Sequence, residues 1–161
     1  MKNLFLIVAI LFATNANADL LIGRVVGVTD GDTIKVLTKD NQEVKVRLAC
    51  IDAPEKKQAF GEKAKQSLAK LIYNKTVEIE SGGTDRYKRT LGYIWLGNEL
   101  INLKMVADGY AWNYRKYCTD ARFDAAEQNA FGLGLGLWSD GVDPVPPWEY
   151  RHPKHANTSG T

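Results

Sequence analysis

Val44, Val46 and Leu48 alternate with Lys45 and Arg47, the period of a strand buried on one face. The strand runs into Ile51-Asp52-Ala53-Pro54-Glu55, a proline-containing turn that carries two carboxylates. Arg47 falls on the face opposite the apolar residues. An arginine and two carboxylates gathered at one strand end are the groups needed to bind a metal ion and act on a phosphate ester.

Further short strands surround this one. An apolar strand spans Leu20 to Val28 and turns at Thr29-Asp30-Gly31; a second covers Thr33 to Leu37, and Lys39 to Gln42 is a polar hairpin connection. The central strand is Glu43 to Cys50, with two more at Thr76 to Ser81 and Leu91 to Leu96. Phe60, Ala64, Leu68, Leu71 and Ile72 recur at helical spacing, which predicts an amphipathic helix over Gly61 to Tyr73. Asn102 is read as the N-cap of a short helix through Val106, stopped by Gly109, and Phe123 to Phe131 as a last helix. Five short strands with a helix between the third and fourth specify a mainly β fold with helices (α+β). The architecture is a five-stranded OB-type Greek-key barrel carrying about three α-helices.

Residues 1–18 read as a signal peptide. Lys2 supplies the positive start, Leu4 to Ala13 is an unbroken apolar run, and Ala16-Asn17-Ala18 is a small-residue cleavage site. The run is shorter than the roughly 20 residues of a membrane-spanning helix. The expectation is an exported protein, periplasmic or secreted, with one domain over residues 19–141 and a Pro-containing flexible tail over 142–161. Lys and Arg number 21 against 19 Asp and Glu, so bulk charge does not mark a nucleic-acid partner. Attraction to a polyanion must come from local basic surface, such as Arg86, Lys88 and Arg89. The lysines around Lys63 read as a solvated helix face. Gly132-Leu133-Gly134-Leu135-Gly136 lacks the strand and helix that a nucleotide loop needs, and His152 and His155 lack partner ligands nearby.

Three motifs now stand in order: Asp30-Gly31-Asp32-Thr33, Arg47 to Glu55, and Asp85-Arg86-Tyr87-Lys88-Arg89. Together they resemble the staphylococcal nuclease (thermonuclease-like) family from about Gly23 to Trp138. The resemblance implies Ca²⁺ held by Asp32, Asp52 and the backbone carbonyl of Ala53, where the family has a threonine, with Asp30 behind them. It implies Arg47 and Arg89 as phosphate-binding catalytic arginines and Glu55 as the residue that orients water or takes its proton. Arg86, Tyr87 and Tyr117 match substrate-binding positions, and Lys88 replaces a family glycine. Oxygen ligands suit a hard cation, and guanidinium groups suit the charge that builds on phosphate oxygens. Among the nearby aromatic residues Trp112 is read as core, and Tyr114 as either core or stacking.

In the family fold Cys50 and Cys118 both lie near the active-site side of the barrel, so in an exported protein they either form a disulfide or remain two buried thiols. The expected function is an exported Ca²⁺-dependent nuclease, monomeric, hydrolysing DNA and RNA, preferentially single-stranded or melted, with low sequence specificity and 3′-phosphate ends. The alternatives are a non-catalytic OB module that binds single-stranded nucleic acid or protein, and a binding protein for a small anion. The first usually lacks the acidic ligands or arginines; the second does not account for the metal carboxylates.

Overall fold

Val25, Ile34, Val36, Val46, Val77, Ile79 and Ile94 are buried at 0–1% exposure inside a closed barrel. The computed structural model describes residues 19–139 and 144–153. The expected signal peptide and its cleavage site, the start of the expected tail and His155 lie outside the described residues.

The barrel is built from β1 (Asp19–Asp30), β2 (Thr33–Thr38), β3 (Glu43–Leu48), β5 (Thr76–Thr84) and β6 (Thr90–Leu96). Strand β1 serves two partners, pairing with β5 from Asp19 to Arg24 and with β2 from Gly23 to Asp30. Register shifts between Val25 and Gly27 and between Val28 and Asp30 bend it, as bulges do. Parallel pairing of β3 with β6, Arg47 opposite Leu91 and Leu48 opposite Gly92, closes the ring. A Cβ at Gly92 would stand 2.5 Å from the Ile79 Cγ2. The five-stranded α+β barrel read from the sequence is therefore the fold observed.

Three features lie outside that reading. A two-residue strand β4 (Ile51–Asp52) pairs with β8 (Trp112–Asn113), and β7 (Glu99–Leu100) extends β6. Helix α1 (Gly61–Ile72) buries Ala64, Leu68 and Ile72; α3 (Ala121–Gly132) is capped by Asp120, which accepts from the Arg122 N–H. Asn102 is not a helix cap. Helix α2 (Ile101–Ala107) starts directly from β7, which places Asn102 inside its first turn at 0% exposure. Its Oδ1 accepts from the Ile94 N–H at 2.9 Å, and its Nδ2 donates to Ala49 O and Gly92 O at 2.9 and 3.0 Å. The side chain satisfies backbone groups where the barrel seam meets the turn after β3, which an apolar residue could not do.

Residues 144–153, assigned above to a flexible tail, carry a one-turn helix α4 (Pro147–Tyr150) opened by proline. Trp148 stacks flat on Tyr114, centroids 5.5 Å apart and planes within 3°. The proline run ends the preceding structure but also presets the dihedral of a new helix start.

Cys50 and Cys118 form a disulfide across a sequence separation of 68. The non-reduced protein should show no free thiol at these positions. Reduction should lower unfolding free energy by about 4 kcal/mol on chain-entropy grounds. Thiol titration in denaturant checks the first outcome, and urea unfolding with and without reductant checks the second.

Candidate active site

Closure of the barrel brings three connections to one end: the β1–β2 turn with Asp30 and Asp32, the β3–β4 turn leading to Glu55, and the β5–β6 hairpin with Asp85 to Arg89. They line a cleft of ≈ 1310 Å³, together with Tyr114, Tyr117, Trp148 and Arg151. That exceeds the roughly 300–1,000 Å³ of common small-ligand pockets, so the cleft suits an extended ligand. The β1–β2 turn is packed tightly, since a Cβ at Gly31 would lie 2.7 Å from both Ala53 Cβ and Ala64 Cβ.

Arg47 is the knot of the site. Its Nη1 donates to Leu48 O at 2.7 Å and Ile51 O at 2.9 Å. Its Nη2 lies 3.0 Å from both Asp32 Oδ2 and Asp52 Oδ1, and the side chain is 11% exposed. Three of the five guanidinium donors are hydrogen-bonded and Nη2 is also ion-paired with Asp32, which leaves the Nε–H outside these contacts. A two-pronged grip on phosphate by Arg47, the geometry open to a free guanidinium, would need some of them to break.

Asp32 and Asp52 are both buried, at 6% and 1% exposure. Asp32 accepts from the Ala53 N–H at 2.8 Å and the Thr33 hydroxyl at 3.0 Å. This locks the first carboxylate turn to the second. Burial pushes the Asp52 carboxyl up; hydrogen bonds from Arg151 oppose the shift, and the charge of Asp32 adds to it. Asp30, whose Oδ1 accepts from the Asp32 N–H, is pushed up to about 6, first by burial and then by the charge of Asp32.

Arg89 reaches the same space from the hairpin. Its Nε and Nη2 both lie 2.7 Å from Asp85 Oδ2, and its Nη1 donates to the Thr33 hydroxyl at 3.3 Å. Asp85 also accepts from the Tyr87 and Arg89 N–H groups, which holds its carboxyl below the usual range against a burial effect that raises it. Lys88 adopts φ 61 in this hairpin. The left-handed conformation explains why a glycine is at home there in the family. Tyr87 and Tyr117 are 64% and 65% exposed at the cleft, with the Arg86 guanidinium 4.7 Å from the Tyr87 ring centroid. Trp112 is buried, whereas Tyr114 lines the cleft and touches Tyr117 edge to face.

Glu55 is 40% exposed and accepts from Arg151 Nη1 at 2.7 Å. The same guanidinium meets Asp52, with Nη2 to Oδ2 at 2.7 Å and Nη1 to Oδ1 at 3.2 Å. Arg151 and Trp148 are the site residues that sequence reasoning missed. Their signal was composition: Pro-Pro-Trp followed by Tyr150 is too aromatic for a segment without packing partners.

Crowded carboxylates give a pH signature. Asp30 has a folded-state value above its ordinary 3.8, so it stabilises the fold while protonated and loses that contribution as pH rises through about 6. In chelator, Asp30→Asn should gain stability relative to wild type between about pH 4 and about pH 7.5. Urea unfolding of both proteins across that range checks it; a constant difference would reject the assignment.

Known sequences agree with this arrangement. A family model described as staphylococcal nuclease homologue matches residues 45–140. An uncharacterized endonuclease of Haemophilus influenzae is 47% identical over 83% of this chain and 75% of its own length. Protein ParB of Escherichia coli is 46% identical, covering 80% of this chain and 78% of that protein. A micrococcal nuclease of Shigella flexneri is 44% identical over 80% of this chain and 79% of its own. With this barrel, these three loops and relatives matched over most of their length, the chain belongs to the staphylococcal nuclease family.

Proposed function

We propose that this chain is an exported, Ca²⁺-dependent nuclease that hydrolyses phosphodiester bonds in DNA and RNA with low sequence specificity and leaves 3′-phosphate ends. The observation that carries the reading is the convergence of Asp32, Asp52, Glu55, Arg47 and Arg89 on one cleft of a staphylococcal nuclease fold. Export rests on residues 1–18, and the end groups rest on family membership.

The donor chemistry fits a hard cation. Asp32 and Asp52 present buried carboxylate oxygens; burial, with the charge of Asp32 adding to it, raises the Asp52 carboxyl, and a cation between them would offset both effects. Among the described residues no group of three or more His, Cys, Asp and Glu side chains forms a ready metal cage. The site proposed is an open one of two carboxylates and the Ala53 carbonyl, which would leave positions for water and a phosphate oxygen. An ion held by Asp32 and Asp52 would supply Lewis-acid polarisation of the phosphodiester.

The remaining groups divide by position. Glu55 is the most exposed acid of the set and is free of Arg47, so it can orient a water molecule and take its proton. Arg89 and the Arg47 Nε–H offer donors to phosphate oxygens. Tyr87 and Tyr117 offer ring faces on which any base can stack, preferentially in single-stranded or melted substrate.

One observation favours a second reading, a non-catalytic binding module. Arg47 and Arg151 together engage both oxygens of Asp52, which would suit a site whose carboxylates hold arginines and not a catalytic metal ion. Digestion separates the two. Purified protein with millimolar Ca²⁺ should degrade denatured DNA and RNA, chelator should stop it, and end-group analysis should find 3′-phosphates. Intact substrate across neutral to alkaline pH would leave the binding module.

Two sets of variants test the roles. Glu55→Gln should keep the fold while lowering turnover at saturating Ca²⁺ by about 10²–10⁴; retention of most of the wild-type rate would remove Glu55 from proton transfer. Asp32→Ala and Asp52→Ala should each raise the Ca²⁺ concentration needed for activity, because each removes an anionic oxygen. An unchanged calcium titration in both would place the metal elsewhere.

A further inference from the structure

Arg151 follows α4, whose position does not depend on it. Trp148 is held flat against Tyr114 and edge to face against Trp112, with centroids 6.4 Å apart in the latter pair. Gln58 Nε2 donates to Val145 O just ahead of the helix. From this anchored turn the Arg151 guanidinium forks across Asp52 and Glu55.

Asp52 thus has an arginine on each side, and the two differ in a way that matters. Arg47 is 11% exposed and bonded to two backbone carbonyls as well. Arg151 is 35% exposed, and its guanidinium hydrogen bonds end on Asp52 and Glu55. A guanidinium partly in water can leave its carboxylates and be solvated again; the buried one cannot leave without stranding both acids. Asp52 Oδ2 accepts from Arg151 at 2.7 Å. A calcium ion bound to the same oxygen would sit at about 2.3–2.6 Å, so the two cations would crowd one lone-pair region and repel.

We propose that Arg151 is an internal counter-ion of this site: it holds Asp52 and Glu55 when no metal is bound, Ca²⁺ displaces it, and it thereby sets the affinity for Ca²⁺. This inference rests on the Ca²⁺ reading of Asp52. It adds to that reading a residue outside the three motifs and beyond the stretch matched by the family model. The C-terminal turn becomes part of the metal site although it contributes no ligand.

The test is calorimetric titration of CaCl₂ into the purified protein without substrate, comparing wild type, Arg151→Gln, Arg86→Gln and Asp52→Asn. Arg151→Gln should bind Ca²⁺ roughly tenfold more tightly, equivalent to about 1.4 kcal/mol. Arg86→Gln removes the same charge from the cleft wall without touching either carboxylate and should change affinity by less than about twofold. Near-ultraviolet circular dichroism should stay the same in Arg151→Gln if the Trp148 stack anchors the turn. Equal or weaker Ca²⁺ binding by Arg151→Gln, with binding abolished in Asp52→Asn, would overturn the counter-ion role and leave the metal assignment standing. Equal tightening in Arg86→Gln would also overturn it, since bulk charge would then suffice. Absence of Ca²⁺ binding in both wild type and Arg151→Gln would overturn the counter-ion and the metal reading together.

Discussion

The site depends on one guanidinium holding two buried carboxylates at the mouth of a barrel. Asp32 and Asp52 belong to different turns, and each is nearly closed to water. Without Arg47 they would face each other as like charges in a medium that screens poorly. Breaking a buried ion pair on one side costs about 3–5 kcal/mol, because the remaining charge is left without a partner. Arg47 also binds the carbonyls of Leu48 and Ile51, so the same side chain that neutralises the acids shapes the turn that presents them. Substitution of Arg47 would therefore disturb fold and chemistry together, which makes Glu55 the cleaner probe of mechanism.

A frame of short contacts keeps that turn in place. Asn102 ties α2 to the carbonyls of Ala49 and Gly92. Cys50, at φ 67, is joined through its sulfur to Cys118, and its carbonyl accepts from the Tyr114 N–H at 2.8 Å. Below them, Glu127 accepts from the Asn113 N–H at 2.9 Å, and Arg115 pairs with Asp124 at 2.8 Å. The aromatic segment from Trp112 to Tyr117 is thus fastened at one edge to the carboxylate turn and at the other to α3. Positioning of this kind is what a catalytic constellation needs, because small displacements of charged groups are costly in rate.

How much of this was legible in the sequence follows from the range of each interaction. The barrel strands were readable because burial on one face imposes a period of two, and α1 because its apolar residues fall at helical spacing. Asp32, Asp52, Glu55, Arg47 and Arg89 were readable as members of ordered motifs. What escaped were contacts between distant segments with no local pattern. The β4–β8 pair is two residues long, too short for any period. Asn102 looked like a cap because asparagine before an apolar run usually is one; its real partners lie on β6 and in the turn after β3. Arg151 stands 99 residues from Asp52, and the proline run before it points to loss of structure unless the aromatic residues beyond it are weighed too.

The two arginines on Asp52 show why charge alone does not define a site. Both are cations within hydrogen-bonding distance of the same carboxylate. One is buried with its donors committed to the backbone and both acids, so it belongs to the fold. The other reaches in from an anchored surface turn and keeps about a third of its side chain in solvent, so it can be solvated again if it leaves the acid. Burial thus decides which arginine is permanent and which can be replaced. Asp52 lies between these two guanidinium groups and is neutralised by them; on the Ca²⁺ reading proposed above, the removable one keeps one side open to the ion. On that reading, the arrangement would meet two demands that otherwise conflict: a fold stable with the acids ionised, and a site open to a divalent ion.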